Sequence, residues 1–354
     1  MKRTGVLIGI SGGVDSAVAA AALKEQGFHV EGLYIGNGFP TRAEGEAERV
    51  ADALGIPLHR IDVAASFARE IVDYFADEYA RARTPNPCVV CNKKIKFPFL
   101  IEAAARYGLD YAATGHYARI GNRGDGNDLR LMKGVDAGKD QSYFLFMLGR
   151  QELEKILFPN GDRFKTEIRE RSRSLGLQSL TERESQEICF IPDNDYRRFI
   201  ENILPPSTFA AGNIVDGNGT VVGRHRGIHT VTVGQRRGLQ IASERPYYVI
   251  AIDETRNEVI VGREEDQFFE GLVAADLSWA APEYALEETL RASVRIRYRH
   301  RGVDSTIRPG AGGNTVTITF DTPQKAVAPG QAAVFYRDET VIGGGWIERG
   351  LRRA

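Results

Sequence analysis

The segment Val6-Leu7-Ile8-Gly9-Ile10-Ser11-Gly12-Gly13-Val14-Asp15-Ser16 constrains this chain more than any other. Its first five residues are mostly apolar and rich in β-branched types, which predicts a buried strand over 6–10. The run Ala17-Val18-Ala19-Ala20-Ala21-Ala22-Leu23-Lys24 predicts a helix. Between them a Ser-Gly-Gly turn lets backbone amides come close to an anion, and the helix start adds unpaired N–H groups with partial positive charge. A Walker loop needs lysine and then Ser or Thr after its last glycine, and Val14-Asp15 stands there instead. The competing interpretation is an ordinary strand-turn-helix without a ligand.

A chain of 354 residues predicts two or three domains. With 42% hydrophobic and 26% charged residues it reads as a soluble globular protein. No apolar run reaches membrane length and the amino terminus lacks a signal-peptide core, so the expectation is a cytoplasmic protein with no membrane partner. The net charge of −1 leaves nucleic-acid contact to local basic patches. The 3 cysteines are Cys88, Cys91 and Cys189. An odd count without a secretion signal argues against a disulfide framework and favours thiol chemistry or a metal.

Strands are expected over 30–35, 58–63 and 111–115, and helices over 42–54, 66–82 and 95–107. Repeated βα units mean a parallel sheet with helices on both faces. Ligands in such sheets bind at the carboxyl ends of the strands, where Ser11, Thr114 and the loop after Ile35 fall. Residues 150–203 are charged and helical in pattern. Beyond Pro205-Pro206 come short β-branched runs at 228–233, 247–252, 258–261, 291–301, 315–321 and 331–337. They predict a small β domain and a barrel. The expected division is 1–203, 204–267 and 268–354.

The run Pro85-Asn86-Pro87-Cys88-Val89-Val90-Cys91-Asn92-Lys93-Lys94-Ile95-Lys96 is the second informative segment. Its prolines force an extended or turning chain. A helix starting near Asn92 would put Cys91 at its N-terminus with three lysines just downstream, which favours thiolate. Half of a zinc site lacks its second ligand pair here, and buried inert cysteines sit poorly with the polar surroundings. Cys189, within 184–192, reads alone as a core cysteine in a short strand. In a strand over 295–301, Arg295, Arg297, Arg299 and Arg301 would share one face and form a comb for phosphates; a solvated barrel face is the alternative.

Taken together, Ser11 to Ser16, Asn86 to Lys96, Thr114-Gly115-His116-Tyr117, Lys139-Asp140-Gln141-Ser142-Tyr143-Phe144-Leu145 and Ile188-Cys189-Phe190-Ile191 resemble the signatures of tRNA-specific 2-thiouridylases. Gly234-Gln235-Arg236-Arg237-Gly238-Leu239, Arg297-Tyr298-Arg299 and Pro329-Gly330-Gln331 extend the resemblance over nearly the whole chain. It implies an α/β fold: a doubly wound parallel sheet of the PP-loop, adenine nucleotide alpha hydrolase-like type, followed by a small β domain and a C-terminal β-barrel that contacts tRNA. The implied reaction puts sulfur on C2 of the wobble uridine in tRNAs for lysine, glutamate and glutamine, after ATP adenylates the C2 oxygen. Gly9, Ile10, Ser11, Gly12, Gly13, Val14, Asp15 and Ser16 would hold the ATP phosphates, with Asp15 helping to position Mg²⁺, and Ile35 and Gly115 would contact adenosine. Cys189 would carry a persulfide supplied by a sulfur relay or a cysteine desulfurase. Cys91 would release the sulfur, leaving a Cys91–Cys189 disulfide; alternatively the persulfide attacks C2 directly and Cys91 resolves the product. Asn86, Pro87 and Cys88 would border the target base, and His116, Lys139, Asp140, Gln141, Arg297, Tyr298 and Gln331 would touch tRNA.

Two departures stand out. Many family members carry Asp where this chain has Cys88, so Cys88, Cys91 and Cys189 offer three thiolates to a 4Fe–4S cluster that could carry hydrosulfide. The persulfide and cluster routes both remain open at this point. The segment 36–41 is also shorter than the acidic insertion usual in the family. Three rivals remain: another adenylating ligase or amidotransferase with the same loop, a non-catalytic nucleotide-sensing RNA-binding module, and a redox thiol protein.

Overall fold

The computed structural model describes residues 3–40, 42–122, 128–177, 188–310 and 313–352. They divide into two compact units. The first comprises Met1–Ile71, Cys88–Phe190 and Asp338–Ile342, and the second Val72–Pro87, Ile191–Arg337 and Gly343–Ala354. Residues 184–187 of the Cys189 segment and Thr41 lie outside the described residues.

The first unit contains β1 (Gly5–Gly9), β2 (His29–Gly36), β3 (Leu58–Asp62), β4 (Tyr111–Ala113), the hairpin β5 (Ala118–Asn122) and β6 (Leu129–Lys133), and β7 (Ile156–Leu157). The strands β3-β2-β1-β4-β7 form one sheet in that order, every pair parallel. The chain runs outward from β1 to β3 and then returns to the other side, so the strand order reverses between β1 and β4. Parallel sheets open a ligand crevice at such a reversal, beyond the carboxyl ends.

The apolar run of β1 is explained by burial on both faces. Val6 and Ile8 join a cluster with Ala17, Ala19, Ala20 and Leu23 of α1 (Val14–Glu25) and Ala47, Val50 and Ala51 of α2 (Ala43–Leu54). Leu7 points the other way, into a cluster with Leu33, Leu100, Ala103 and Ala104. Alternation along one strand thus feeds two cores. The small alanines of α1 favour the helix and let it lie buried from Ser16 through Leu23.

The helical segment carrying the Cys-x-x-Cys pair differs from expectation. It begins earlier, as an α-helix Pro87–Cys91, widens into a π turn Asn92–Lys96 and continues as the α-helix Phe97–Arg106. Pro87 suits a helix start because its missing N–H would be unpaired there. Pro98 supplies no N–H to the preceding turn, and the hydrogen-bond register loosens just before it. Cys91 has helical φ and ψ of −60° and −44°. It therefore lies inside a continuous run, not at an N-terminus.

The second unit holds a four-stranded sheet, β8 (Gly212–Val215), β9 (Val221–His225), β10 (Tyr248–Asp253) and β11 (Glu258–Gly262), in the order β10-β11-β8-β9. The run expected as a strand over 228–233 instead begins as a 3₁₀ turn, Ile228–Thr230. The Thr230 hydroxyl donates to the Gly227 carbonyl at 2.6 Å. Ile228 and Val231 still join the core of Ile214, Val249, Val259 and Val261; burial of the apolar groups prevails over β propensity.

Six further strands close a barrel: β12 (Phe268–Ser278), β13 (Leu290–Arg295), β14 (Val303–Pro309), β15 (Thr315–Lys325), β16 (Ala332–Arg337) and β17 (Thr340–Leu351). Their order is β12-β15-β14-β13-β16-β17, with β17 pairing back to β12. The arginine comb is not formed, because β13 ends at Arg295. Arg295 is buried, and its guanidinium donates to the carbonyls of Tyr298 at 2.5 Å and His300 at 2.8 Å. A reversal that leaves carbonyls unpaired needs such a donor, so this arginine serves the turn.

The crevice between β1 and β4 depends on a close backbone approach. A Cβ on Gly115 would stand 2.7 Å from the Asp15 carbonyl carbon and 2.8 Å from the Ser16 nitrogen. Gly115→Ala should therefore lower stability by about 1–3 kcal/mol, the usual cost of overpacking. The measurement is the urea midpoint, and an unchanged midpoint would mean that this approach is not tight.

Candidate active site

The glycine turn lies where its sequence places it. Gly13 is the N-cap of α1 and no side chain caps the helix, which leaves first-turn N–H groups for an incoming anion. Gly12 has φ of +78°, and a Cβ there would meet Glu46 Cβ at 2.5 Å, so the turn tolerates glycine alone. The Ser16 hydroxyl donates to the Gly13 carbonyl at 3.0 Å and accepts from the Ser11 N–H at 3.3 Å, drawing the loop closed. Ile10 is buried and its N–H donates to the Leu33 carbonyl at 2.9 Å. Gly9 ends β1, and Val14 packs with Val18, Tyr117 and Ile168.

Asp15 is the best-anchored residue of the loop. Its Oδ1 accepts from the Tyr117 hydroxyl at 2.6 Å and from Lys165 Nζ at 2.7 Å. Asn160 Nδ2 bridges the carbonyls of Asp15 (2.9 Å) and Gly115 (3.1 Å). Tyr117 is held in turn by Gln141, whose Oε1 accepts the Tyr117 N–H at 3.0 Å. With an ammonium and a phenol on one oxygen, Asp15 already has its charge matched and is a loop anchor more than a waiting Mg²⁺ ligand. Asn160 and Lys165 escaped sequence reasoning, and Tyr117 was quoted without a role. A lone lysine at the start of the charged helix Lys165–Ser174 carries no motif; only its burial, at 4% exposure, marks it.

The three cysteines fall in the first unit, all as free thiols. They share one electrostatic environment. Burial first, and then charge on Cys91 and Cys88, raise the Cys189 pKa to about 12. Burial also raises Cys88 and Cys91, opposed in each case by the Lys96 ammonium. Cys88 and Cys189 still show surface to solvent, although protein packs densely around their sulfurs. The resting thiolate expected at Cys91 is not favoured: burial acts against it, and among the described residues Lys96 is the cation that opposes burial. The other two lysines are committed elsewhere, Lys93 to Glu152 at 2.5 Å and Lys94 to Glu70 at 2.7 Å. Among the described residues, no group of three His, Cys, Asp or Glu is arranged to hold a metal ion. The thiols as placed do not make up a cluster site.

Cys189 is fixed by its neighbours. Phe190 is buried, and its ring packs against Phe39 at 5.7 Å and Phe67 at 5.5 Å. Asn37 Nδ2 lies 4.0 Å from the Cys189 sulfur, while its Oδ1 accepts the Phe39 N–H at 3.2 Å. The short loop after β2 thus reaches the second thiol, which no sequence motif announced. Ile35, near the end of β2, packs on the Leu7 side of the sheet.

His116 lies between the rings of Phe97 (5.8 Å) and Phe158 (6.2 Å), with Nδ1 2.7 Å from the Thr114 hydroxyl. Burial, and then the Lys96 charge, hold its pKa well below the ordinary value, so the imidazole is neutral. Several residues carried over as tRNA contacts hold the protein's own backbone. Asp140, 3% exposed, accepts from the N–H groups of Gly134 and Ser142 and from the Ser142 hydroxyl. Lys139 is half-buried in the same loop, and its N–H donates to the Asp136 carbonyl at 2.9 Å.

In the second unit, Gln331 Nε2 donates to the carbonyls of Thr84 (3.0 Å) and Pro85 (3.1 Å). It thereby fixes the segment that carries the buried Asn86 and Pro87. Arg297 is exposed and reaches the Lys325 carbonyl at 3.2 Å, and Tyr298 is half-buried in the turn after β13.

Three family models match consecutive parts of the chain: a tRNA methyl transferase HUP domain over residues 4–193, a tRNA methyl transferase PRC-barrel domain over 197–263 and an aminomethyltransferase β-barrel domain over 269–347. The tRNA-specific 2-thiouridylase MnmA 2 of Syntrophus aciditrophicus is 50% identical over 339 residues, covering 91% of this chain and 99% of that one. The chain belongs to the tRNA-specific 2-thiouridylase family. Relatives of the same name from Geobacter metallireducens and Carboxydothermus hydrogenoformans are 45% and 42% identical, each alignment covering 99% of this chain and 98% and 99% of theirs. Among the described residues no helix is long and apolar enough to cross a membrane.

Two measurements test this geometry. The iodoacetamide alkylation rate of Cys189, followed by peptide mapping, should still be rising above pH 10, where a free cysteine has levelled off; a plateau near pH 9 would contradict the desolvated sulfur. Lys165→Met should cost about 1–3 kcal/mol, since it strands Asp15 beside Tyr117. The thermal midpoint reports this loss, and an unshifted midpoint would mean that the ion pair contributes nothing.

Proposed function

We propose that this chain is an ATP-dependent tRNA sulfurtransferase that makes 2-thiouridine at the wobble position of tRNAs for lysine, glutamate and glutamine. The observation that most supports this reading is that Cys189 lies within electrostatic reach of Cys91, 98 residues away in sequence, and both feel Lys96, in the unit that also carries the glycine-rich turn. A uridine C2 oxygen is a very poor leaving group. Attack of that oxygen on the α-phosphate of ATP forms an adenylate and expels pyrophosphate, which the unpaired N–H groups at the start of α1 suit. Sulfur then arrives on Cys189 as a persulfide, loaded by a relay protein or a cysteine desulfurase.

Cys91 attacks the Cys189 sulfur and frees hydrosulfide for C2, or the terminal sulfur attacks C2 and Cys91 then resolves the product. Either way the sulfane sulfur takes two electrons, the two thiols become a disulfide, and the C2 oxygen leaves with AMP. Lys96 favours each thiolate at the moment it forms, against a desolvation that keeps the resting sulfurs protonated. The neutral His116 offers a hydrogen bond without adding charge.

Cys91→Ser and Cys189→Ser should each release pyrophosphate on ATP and unmodified tRNA while 2-thiouridine falls to background in nucleoside mass spectrometry. An adenylating ligase would keep its full turnover in both variants, and a non-catalytic nucleotide sensor would release no pyrophosphate even as wild type. Cells lacking the protein should lose 2-thiouridine from the wobble position. An unchanged nucleoside profile in cells without a second copy would overturn the reading.

A further inference from the structure

We propose that Cys88 is a third reacting thiol, which takes over the disulfide left by sulfur transfer and sets Cys189 free for reloading. The inference rests on the proposed function for the origin of that disulfide, and its geometry stands separately. Cys88 and Cys91 belong to one helical turn, Pro87–Cys91. Residues three apart on an α-helix share a face, with Cα atoms about 5 Å apart. That spacing lies inside the window of about 4.4–6.8 Å for a disulfide. The turn is the first of its helix, where N–H groups are not yet committed to intrahelical bonds and the backbone can adjust. All three thiols are free, Cys88 is exposed and Cys91 is half-exposed. Cys189 is near enough to both for their charges to act on it.

The step is a thiol–disulfide exchange with no net redox change. The Cys88 sulfur attacks the Cys91 sulfur, the Cys91–Cys189 bond breaks, and a Cys88–Cys91 bond forms. The electron pair leaves on Cys189, which takes up the proton that Cys88 gave up. The departing sulfur finds two groups that favour negative charge: Asn37 Nδ2 at 4.0 Å and the Lys96 ammonium. A dithiol reductant from solution then opens the exposed Cys88–Cys91 bond, taking two electrons from the reductant and regenerating both thiols. Persulfide loading on Cys189 need not wait for that reduction.

The decisive experiment is acid-quenched alkylation and disulfide mapping after one turnover of sulfur-loaded full-length protein with ATP and unmodified tRNA, without reductant. In the wild type, most of the disulfide should join Cys88 to Cys91, with Cys189 recovered alkylated. In Cys88→Ser equilibrated in glutathione buffer, with neither ATP nor tRNA, the intramolecular disulfide should be Cys91–Cys189. A parallel equilibration of the wild type in glutathione buffer, with neither ATP nor tRNA, should also settle on Cys88–Cys91. A wild type that retains Cys91–Cys189 in both settings, with Cys88 alkylated, overturns the exchange. If the glutathione experiment gives Cys88–Cys91 while turnover yields 2-thiouridine with no disulfide, the pairing stands and the persulfide mechanism falls.

Discussion

The approach of Gly115 to the first turn of α1 is the contact on which the rest of the site depends. It brings the end of β4 against Asp15 and Ser16, with room for no side chain between them. Asn160 ties the two segments through their carbonyls, and Lys165 and Tyr117 close on the Asp15 carboxylate. A loop whose amides must receive a polyanion would otherwise relax toward its own carbonyls. Here the anchoring groups lie around Asp15 and leave the glycine amides at the helix start uncapped. Preorganised donors of this kind need little rearrangement when charge develops opposite them.

The thiol cluster shows the balance of two opposed electrostatic effects. Three lysines follow Cys91 in sequence, but ion pairs with Glu152 and Glu70 take two of them, and among the described residues Lys96 is the cation that bears on the sulfurs. Burial pushes the other way, raising all three thiols toward the protonated form. Protonated sulfurs are slow to react with passing oxidants and electrophiles, because the thiolate is the nucleophile. Reactivity is thereby tied to events that bring or release charge within the site.

Several polar residues carried over as RNA contacts turn out to hold backbone. Asp140 organises its own loop, Gln141 holds Tyr117 and Gln331 fixes Thr84 and Pro85, while Arg295 of the expected arginine comb serves the turn after β13. The pattern arises because irregular segments leave carbonyls and N–H groups that must find partners.

Much of the fold was legible in the residues themselves. The apolar period of β1, the alanines of α1 and the Gly-rich turn specify a strand, a helix and a cradle through local sterics and propensity, and the βα alternation specifies a parallel sheet. The strand expected at 228–233 and the arginine comb at 295–301 were misread because those segments are decided by burial and by turn carbonyls, not by β propensity. Cys91 was misplaced at a helix N-terminus because the π turn depends on how Pro98 is accommodated. Sequence alone thus determined the parallel sheet and the glycine-rich cradle, and singled out the three cysteines. Only the tertiary structure decided which lysine faces them, which residues anchor Asp15, and that burial raises the thiol pKa values, because charge pairing and desolvation depend on groups far apart in the chain.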